Sequence, residues 1–184
     1  EEEEEEEEKK KEKNGKDLFW SRGQGWVMAG LARTLEYLPK DDPARPMYIL
    51  QLQQMAAAVK KLQQPDGLWT SGMMDPQAYG MPEISGSSLM TYGMAWGINN
   101  GFLDRKTYEP VVRRAWAGML KHVYADGRLG CIQQTGAQPT TFKASASYTY
   151  GVGGFLLAGS ELIKMSEMEH GRMGHSKTGH AAKK

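Results

Sequence analysis

The chain repeats itself, and the repeat limits its architecture more than any other feature. Asp66-Gly67-Leu68 returns sixty residues later within Asp126-Gly127-Arg128-Leu129. Thr91-Tyr92-Gly93 returns as Thr149-Tyr150-Gly151, and Ser85-Gly86-Ser87 has a counterpart in Ser145-Ala146-Ser147. Each copy reads as a surface helix, an Asp-Gly turn, a polar loop and a buried helix. A helical hairpin used repeatedly buries its apolar face only against its neighbours, so the repeat implies a toroid or a solenoid. An irregular helical bundle is the plainer alternative.

Apolar periodicity marks five helices, at 24–37, 43–63, 86–99, 107–124 and 147–165. Gly23 and Gly25 loosen the start of the first. Asp42 is the expected N-cap of the second and Pro43 its first helical residue. Asn99-Asn100-Gly101 is a C-cap signal after the third. The first, third and fifth helices carry Gly, Ala and aromatic residues with almost no central charge, as buried helices do. The second and fourth carry Lys, Arg and Gln on one face, as surface helices do. Gly30, Gly93, Gly97, Gly153 and Gly154 are expected to let the inner helices pack closely. The implied fold class is all-α, with alternating inner and outer helices.

The two ends do not fit this pattern. Residues 1–17 begin with a run of glutamates and continue with mixed Lys and Glu, a block that repels itself and stays solvated. Residues 166–184 hold His170, His175 and His180 among Gly, Ser and Lys. Both read as disordered tails flanking a partial domain at 18–165. The tail histidines are read as solvated and not as metal ligands. The overall charge of +1 calls for no nucleic acid and no anionic membrane. No apolar run approaches the roughly 20 residues of a membrane span. Cys131 is the single cysteine, which excludes a disulfide within the chain and leaves the compartment open, with the cytoplasm slightly favoured. It has no basic neighbour in sequence and is expected to be inert.

Phe19-Trp20-Ser21-Arg22-Gly23-Gln24-Gly25-Trp26 is the stretch richest in chemistry. It precedes a buried helix, so its side chains are expected at the mouth of a ring. Trp20 and Trp26 offer flat apolar faces suited to the C–H faces of a sugar. Arg22 is a planar fork of donors that matches a carboxylate bidentately. Two readings are open on spacing alone: a site for an acidic sugar, or core tryptophans with Arg22 paired to a structural acid.

The run Trp20–Leu31 resembles the W-[SA]-R-G-N-G-W-V-M-A-G-L signature of glycoside hydrolase family 105, the unsaturated rhamnogalacturonyl hydrolases, itself similar to family 88. Gln24 stands where that signature has Asn. Pro82-Glu83-Ile84-Ser85-Gly86-Ser87 is similar to the family's P-E-T-S-G-S element, and residues 150–161 resemble its final inner helix. The resemblance covers 18–165 and implies about half of an (α/α)6 six-hairpin toroid. It implies an acidic oligosaccharide substrate with an unsaturated uronate, of the galacturonyl-rhamnose kind released from pectin. In the implied reaction an aspartic acid protonates the C4=C5 enol ether, water adds at C5, and the hemiketal opens to release the neighbouring sugar. The resemblance places that aspartate upstream of the matched region, so no catalytic residue is assigned here. Trp20, Arg22, Trp26 and Glu83 are the expected substrate-binding residues, and no cofactor or metal is called for.

Each assignment has a structural rival. Glu83 also fits a helix-start carboxylate bonded to backbone N–H groups. Trp69 and Tyr79, in the loop 69–81, fit sugar platforms, a lid or plain packing. Asp66 and Asp126 read as turn residues, and Trp96 and Trp116 as core. Two non-catalytic alternatives accompany the hydrolase reading. One is an acidic-sugar-binding module; the other is an inactive half-toroid that self-associates through open edges.

Overall fold

The computed structural model describes residues 11–176, with side chains described as far as 168. Six helices occur in order: α1 Ser21–Tyr37, α2 Arg45–Lys61, the short α3 Pro76–Tyr79, α4 Ile84–Asn99, α5 Arg105–Leu120 and α6 Thr149–Ser176. The described residues contain no strand, only isolated bridges. None of the helices is long and apolar enough to cross a membrane. The five periodic segments are all helical, and α3 is an addition inside the loop 69–81.

The centre of the structure is α4. It packs against α1 on one side and α6 on the other, with α5 and α2 behind. Nearly every residue from Ile84 to Ile98 is buried, so the alternation of inner and outer helices holds most fully here. The expectation for α1 and α6 needs correction. Each is buried on the face toward α4, with α1 also resting on α2 and α6 on Trp116 of α5, and each keeps an open face. Val27 and Tyr37 on α1 are exposed, as are Leu156 and Ile163 on α6. A helix apolar nearly all round needs neighbours on every side, and among the described residues no second inner helix covers the faces of α1 and α6 that point away from α4.

Close backbone approach fixes the three inner helices in register. A Cβ at Gly25 would lie 2.8 Å from Cβ of Leu89, and one at Gly86 would lie 2.5 Å from the carbonyl carbon of Ser21. Gly25 and Gly86 therefore bring the first turns of α1 and α4 together. Gly93 and Gly154 also face close neighbours, whereas Gly30 and Gly153 have nothing within 4 Å and lie on the open faces. The packing role expected of those last two is not seen.

Helix starts differ from expectation for local reasons. α1 begins at Ser21 because the extended Trp20 precedes it and the Ser21 N–H donates to the Ser71 carbonyl, 2.9 Å away. A tertiary acceptor replaces a side-chain cap, so Gly23 and Gly25 sit inside the helix and do not fray it. Asp42 does not cap α2. Its Oδ1 accepts the Ala44 N–H at 2.8 Å in a turn, and Ala44 is the N-cap.

The tail boundaries also move. Residues 11–17 form a small hairpin on the Asn14-Gly15 turn, with Lys11 bridged to Asp17. Asn14 donates its backbone N–H to Asp75 and its side-chain amide to the Met74 carbonyl. Glu12 is buried and accepts the Tyr79 hydroxyl at 2.8 Å. This packing against α3 excludes a tail reading for 11–17. At the other end α6 continues past Met165 to Ser176, so a helix replaces the first part of the expected tail. Residues 1–10 and 177–184, with His180, and the side chains of His170 and His175 lie outside the described set.

Candidate functional site

The site forms where the first turns of α1 and α6 meet two loops. Residues 19–21 lie alongside 71–73: Ser21 donates to Ser71, and Met73 donates to Phe19. This short pairing fixes the backbone of Trp20 before α1 turns it toward α6. Trp20, Arg22, Trp26, Thr135, Gly136 and Tyr150 then line a cavity of about 320 Å3. That volume is at the lower end of the roughly 300–1,000 Å3 of small-molecule sites.

Arg22 is the floor of the cavity. It is only 3% exposed. Its guanidinium stacks between two rings, 4.7 Å from the centroid of Trp20 and 4.7 Å from that of Tyr150. Nη1 donates to the Gln133 carbonyl at 2.6 Å and Nη2 to the Gln134 carbonyl at 2.7 Å. These partners are neutral. No carboxylate of the described residues pairs with Arg22. A buried charge is ordinarily paired or otherwise compensated, so this cation retains its preference for an anion. A guanidinium has five donors, and two carbonyl bonds leave N–H groups for a ligand.

Trp26 lies one helical turn beyond Arg22, half-exposed at 50%. It supplies an open apolar wall. Trp20 is more enclosed, with its Nε1–H donated to the Gln133 side-chain oxygen at 3.0 Å. Tyr150 donates its hydroxyl to the Gln133 carbonyl at 2.5 Å. Thr135 and Gly136 complete the rim from the loop between α5 and α6. The structure thus brings Trp20, Arg22 and Trp26 together, as expected, and excludes the core packing of Trp26 and the acid pairing of Arg22.

Glu83 does not line the cavity. Its carboxylate is fully buried and caps α4, accepting from the backbone of Ser85 and Gly86 and from the Ser85 hydroxyl. A fourth group, the Gln133 N–H, donates to the same carboxylate at 3.0 Å. The expected substrate contact is corrected to a capping one: orphan N–H groups at the helix start hold the charge away from the cavity. The rival readings also resolve to packing for Trp69, which is fully buried with its indole N–H on the Val59 carbonyl. Tyr79 is held beneath the loop; burial and its bond to Glu12 push its phenol up to about 12. Cys131 is buried, and burial pushes its thiol up, with Glu83 adding to the effect. Among the described residues no group of three or more His, Cys, Asp or Glu could hold a metal.

Sequence reasoning missed Tyr150, Gln133 and the rim residues Thr135 and Gly136. Tyr150 was visible only as part of a repeated Thr-Tyr-Gly. Gln133 carried no signal at all, because the loop after Leu129 has no periodicity and a buried glutamine looks like any loop glutamine. The Asn14-Gly15 pair was a readable hairpin signal, obscured by the charge around it.

The profile of the family described as Glycosyl Hydrolase Family 88 matches residues 1–166. A protein of Formosa agariphila named unsaturated 3S-rhamnoglycuronyl hydrolase is 44% identical over 156 residues, covering 85% of this chain and 41% of that protein. A protein of the same name from Alteromonas sp. is 40% identical over 150 residues, covering 82% and 36%. The solved structure of a glycosyl hydrolase family 88 protein from Bacteroides vulgatus superposes with a TM-score of 0.80 at 42% identity, covering 84% of this chain and 46% of that one. The chain therefore spans about two-fifths of the length of these curated relatives. The helical arc around α4 superposes on nearly half of the solved enzyme's chain.

Proposed function

The chain belongs to Glycosyl Hydrolase Family 88, and from that premise we propose that its Arg22 cavity binds the unsaturated uronyl end of a uronyl–rhamnose oligosaccharide. The observation that carries this reading is the buried Arg22 guanidinium with only neutral partners. A uronate carboxylate is the anion that also brings a sugar ring for Trp26 to cover. The relatives' names supply rhamnose as the adjoining unit. The C4=C5 double bond removes the C4 stereocentre that separates glucuronate from galacturonate. A site reading only this ring therefore accepts either origin, pectin-derived galacturonyl units included.

In the proposed reaction an aspartic acid protonates C4 of the enol ether and water adds at C5, losing its own proton. The hemiketal at C5 then opens to a ketone by breaking C5–O5. The hemiacetal so left at C1 collapses to an aldehyde, breaking the C1–O bond and releasing the rhamnose as an alcohol. Such an acid needs a raised pKa to hold its proton near neutral pH. We assign it to the part of the fold outside this span. Within the span, Arg22 orients the carboxylate and Trp26 excludes water from one face of the ring.

Calorimetric titration of the 184-residue chain with an unsaturated uronyl disaccharide tests this. Saturable binding is expected, weakened about tenfold in Trp26→Ala and about 10–150-fold in Arg22→Ala. A charge-assisted pair is worth about 1.5–3 kcal/mol. Equal binding by all three proteins overturns the reading. Loss of the disaccharide's ultraviolet absorbance with this chain alone would overturn the placement of the acid.

The exposed apolar faces of α1 and α6 give a second expectation. Contiguous apolar surface promotes association, so the chain by itself should sediment as concentration-dependent oligomers. A monomer at all concentrations would remove self-association from consideration.

A further inference from the structure

We infer that Gln133 is the positioning residue of the Arg22 site. The inference rests on the uronate-binding reading of the cavity and concerns how the cavity is held. Gln133 is fully buried and joins three of the lining residues, Trp20, Arg22 and Tyr150. Its side-chain oxygen accepts the Trp20 indole N–H at 3.0 Å and the Ser71 hydroxyl at 2.5 Å. Its side-chain nitrogen donates to the Gln138 carbonyl at 2.8 Å, closing the 133–138 loop. Its backbone N–H goes to Glu83, and its carbonyl receives Arg22 and Tyr150.

These bonds settle which way the amide points. Two donors converge on the oxygen, and only the nitrogen can meet a carbonyl. The amide thereby fixes the rotation of the Trp20 ring that covers Arg22, while the backbone carbonyl fixes the guanidinium. Glu83 acts one step behind. It caps α4 and, through the Gln133 N–H, ties this loop to the start of the most buried helix. The chain turns into this position through Cys131, the one described non-glycine residue with positive φ (54°). Trp20, Ser71, Glu83 and Tyr150 come from separate elements, and all four hydrogen-bond to Gln133 or its backbone. A glutamine here, and not a glutamate, keeps Arg22 uncompensated and so free for an external anion.

The test uses the indole N–H signals of the 15N-labelled chain, one for each of its five tryptophans, with the Trp20 signal assigned by Trp20→Phe. Gln133→Leu removes the acceptor, and solvent exchange at Trp20 should rise at least tenfold while the other four signals hold. Gln133→Glu keeps the acceptor, and Trp20 exchange should stay as in the parent. Its new carboxyl sits against the edge of Trp20, the ring that covers Arg22. Affinity for the unsaturated disaccharide should therefore fall tenfold or more as pH rises and that carboxyl ionises, whereas the parent's affinity stays flat. Unchanged Trp20 exchange in Gln133→Leu, or a rise shared by all five indoles, overturns the positioning role. If the parent binds no disaccharide, the uronate reading fails by itself, and the indole signals alone decide the role of Gln133.

Discussion

Asp66 and Asp126 each accept the backbone N–H two residues on, from Leu68 and Arg128. Each is followed by a glycine with positive φ, 89° at Gly67 and 82° at Gly127. The two turns are locally alike, and their surroundings are opposite. A Cβ at Gly67 would strike the Arg114 backbone of α5, whereas one at Gly127 would meet nothing within 4 Å. Behind the first turn, Leu68 and Trp69 are buried and lead to the enclosed α4. Behind the second, the chain dips through Cys131–Gln133, surfaces at 134–138 and enters α6, which keeps an open face. One repeat is the keel of the arc, and the other supplies a wall of the Arg22 cavity. The same turn chemistry serves both because it sets only the local reversal, and burial decides where the chain goes afterwards.

The contrast breaks most readily at the tryptophans. Trp69→Ala should cost about 3–5 kcal/mol, as truncation of a fully buried aromatic does, and it strands the Val59 carbonyl. Trp116, half-buried on α5 and stacked 4.6 Å from Phe155, should cost only about 1–2 kcal/mol, since stacking adds roughly 0.5–1.5 kcal/mol to partial burial. Urea denaturation measures both, and equal losses would erase the distinction between keel and wall. The turn glycines come next. Gly127→Ala should cost about 1–2 kcal/mol for a Cβ in the left-handed region. Gly67→Ala carries that strain plus an overpacking penalty of about 1–3 kcal/mol. Matching midpoint shifts would show that the first turn is free to back away from α5.

The smallest effect is a titration confined to the second repeat. His122 occupies the place that Leu62 holds sixty residues earlier. Burial lowers its pKa, opposed by Asp66 and assisted by Lys121. The fold therefore favours the neutral ring. Its contribution is complete above the unfolded value of about 6.5 and is lost as pH falls below it. The melting temperature should decline modestly on acidification across that range, and His122→Asn should flatten the decline. A variant with the parent's slope would place the acid sensitivity elsewhere.

The helices were legible in the sequence because period-3.6 patterns survive any tertiary context. The grouping of Trp20, Arg22 and Trp26 was legible because they cluster at the start of an inner helix. The features that stayed hidden depend on contacts distant in sequence. The start of α1 needs the Ser71 carbonyl, fifty residues away. Glu83 reads as ligand or as cap in the sequence, the cap being favoured by cap chemistry, and only the structure shows Gln133 sharing it. Gly30 and Gly153 look like packing glycines in sequence and face open space in the structure, because composition reports that a surface is small and apolar but not what lies opposite.

The neutral company of Arg22 has a practical consequence at the bench. A recessed cation with no counter-ion among the described residues should accept small carboxylates from the medium, so acetate or citrate buffers should act as competitors of the sugar. Sodium chloride at the same ionic strength should matter far less, since buried charges are poorly screened. Affinities measured in the two kinds of buffer would then differ for reasons unrelated to pH. A non-carboxylate buffer is the proper medium for every binding measurement on this chain.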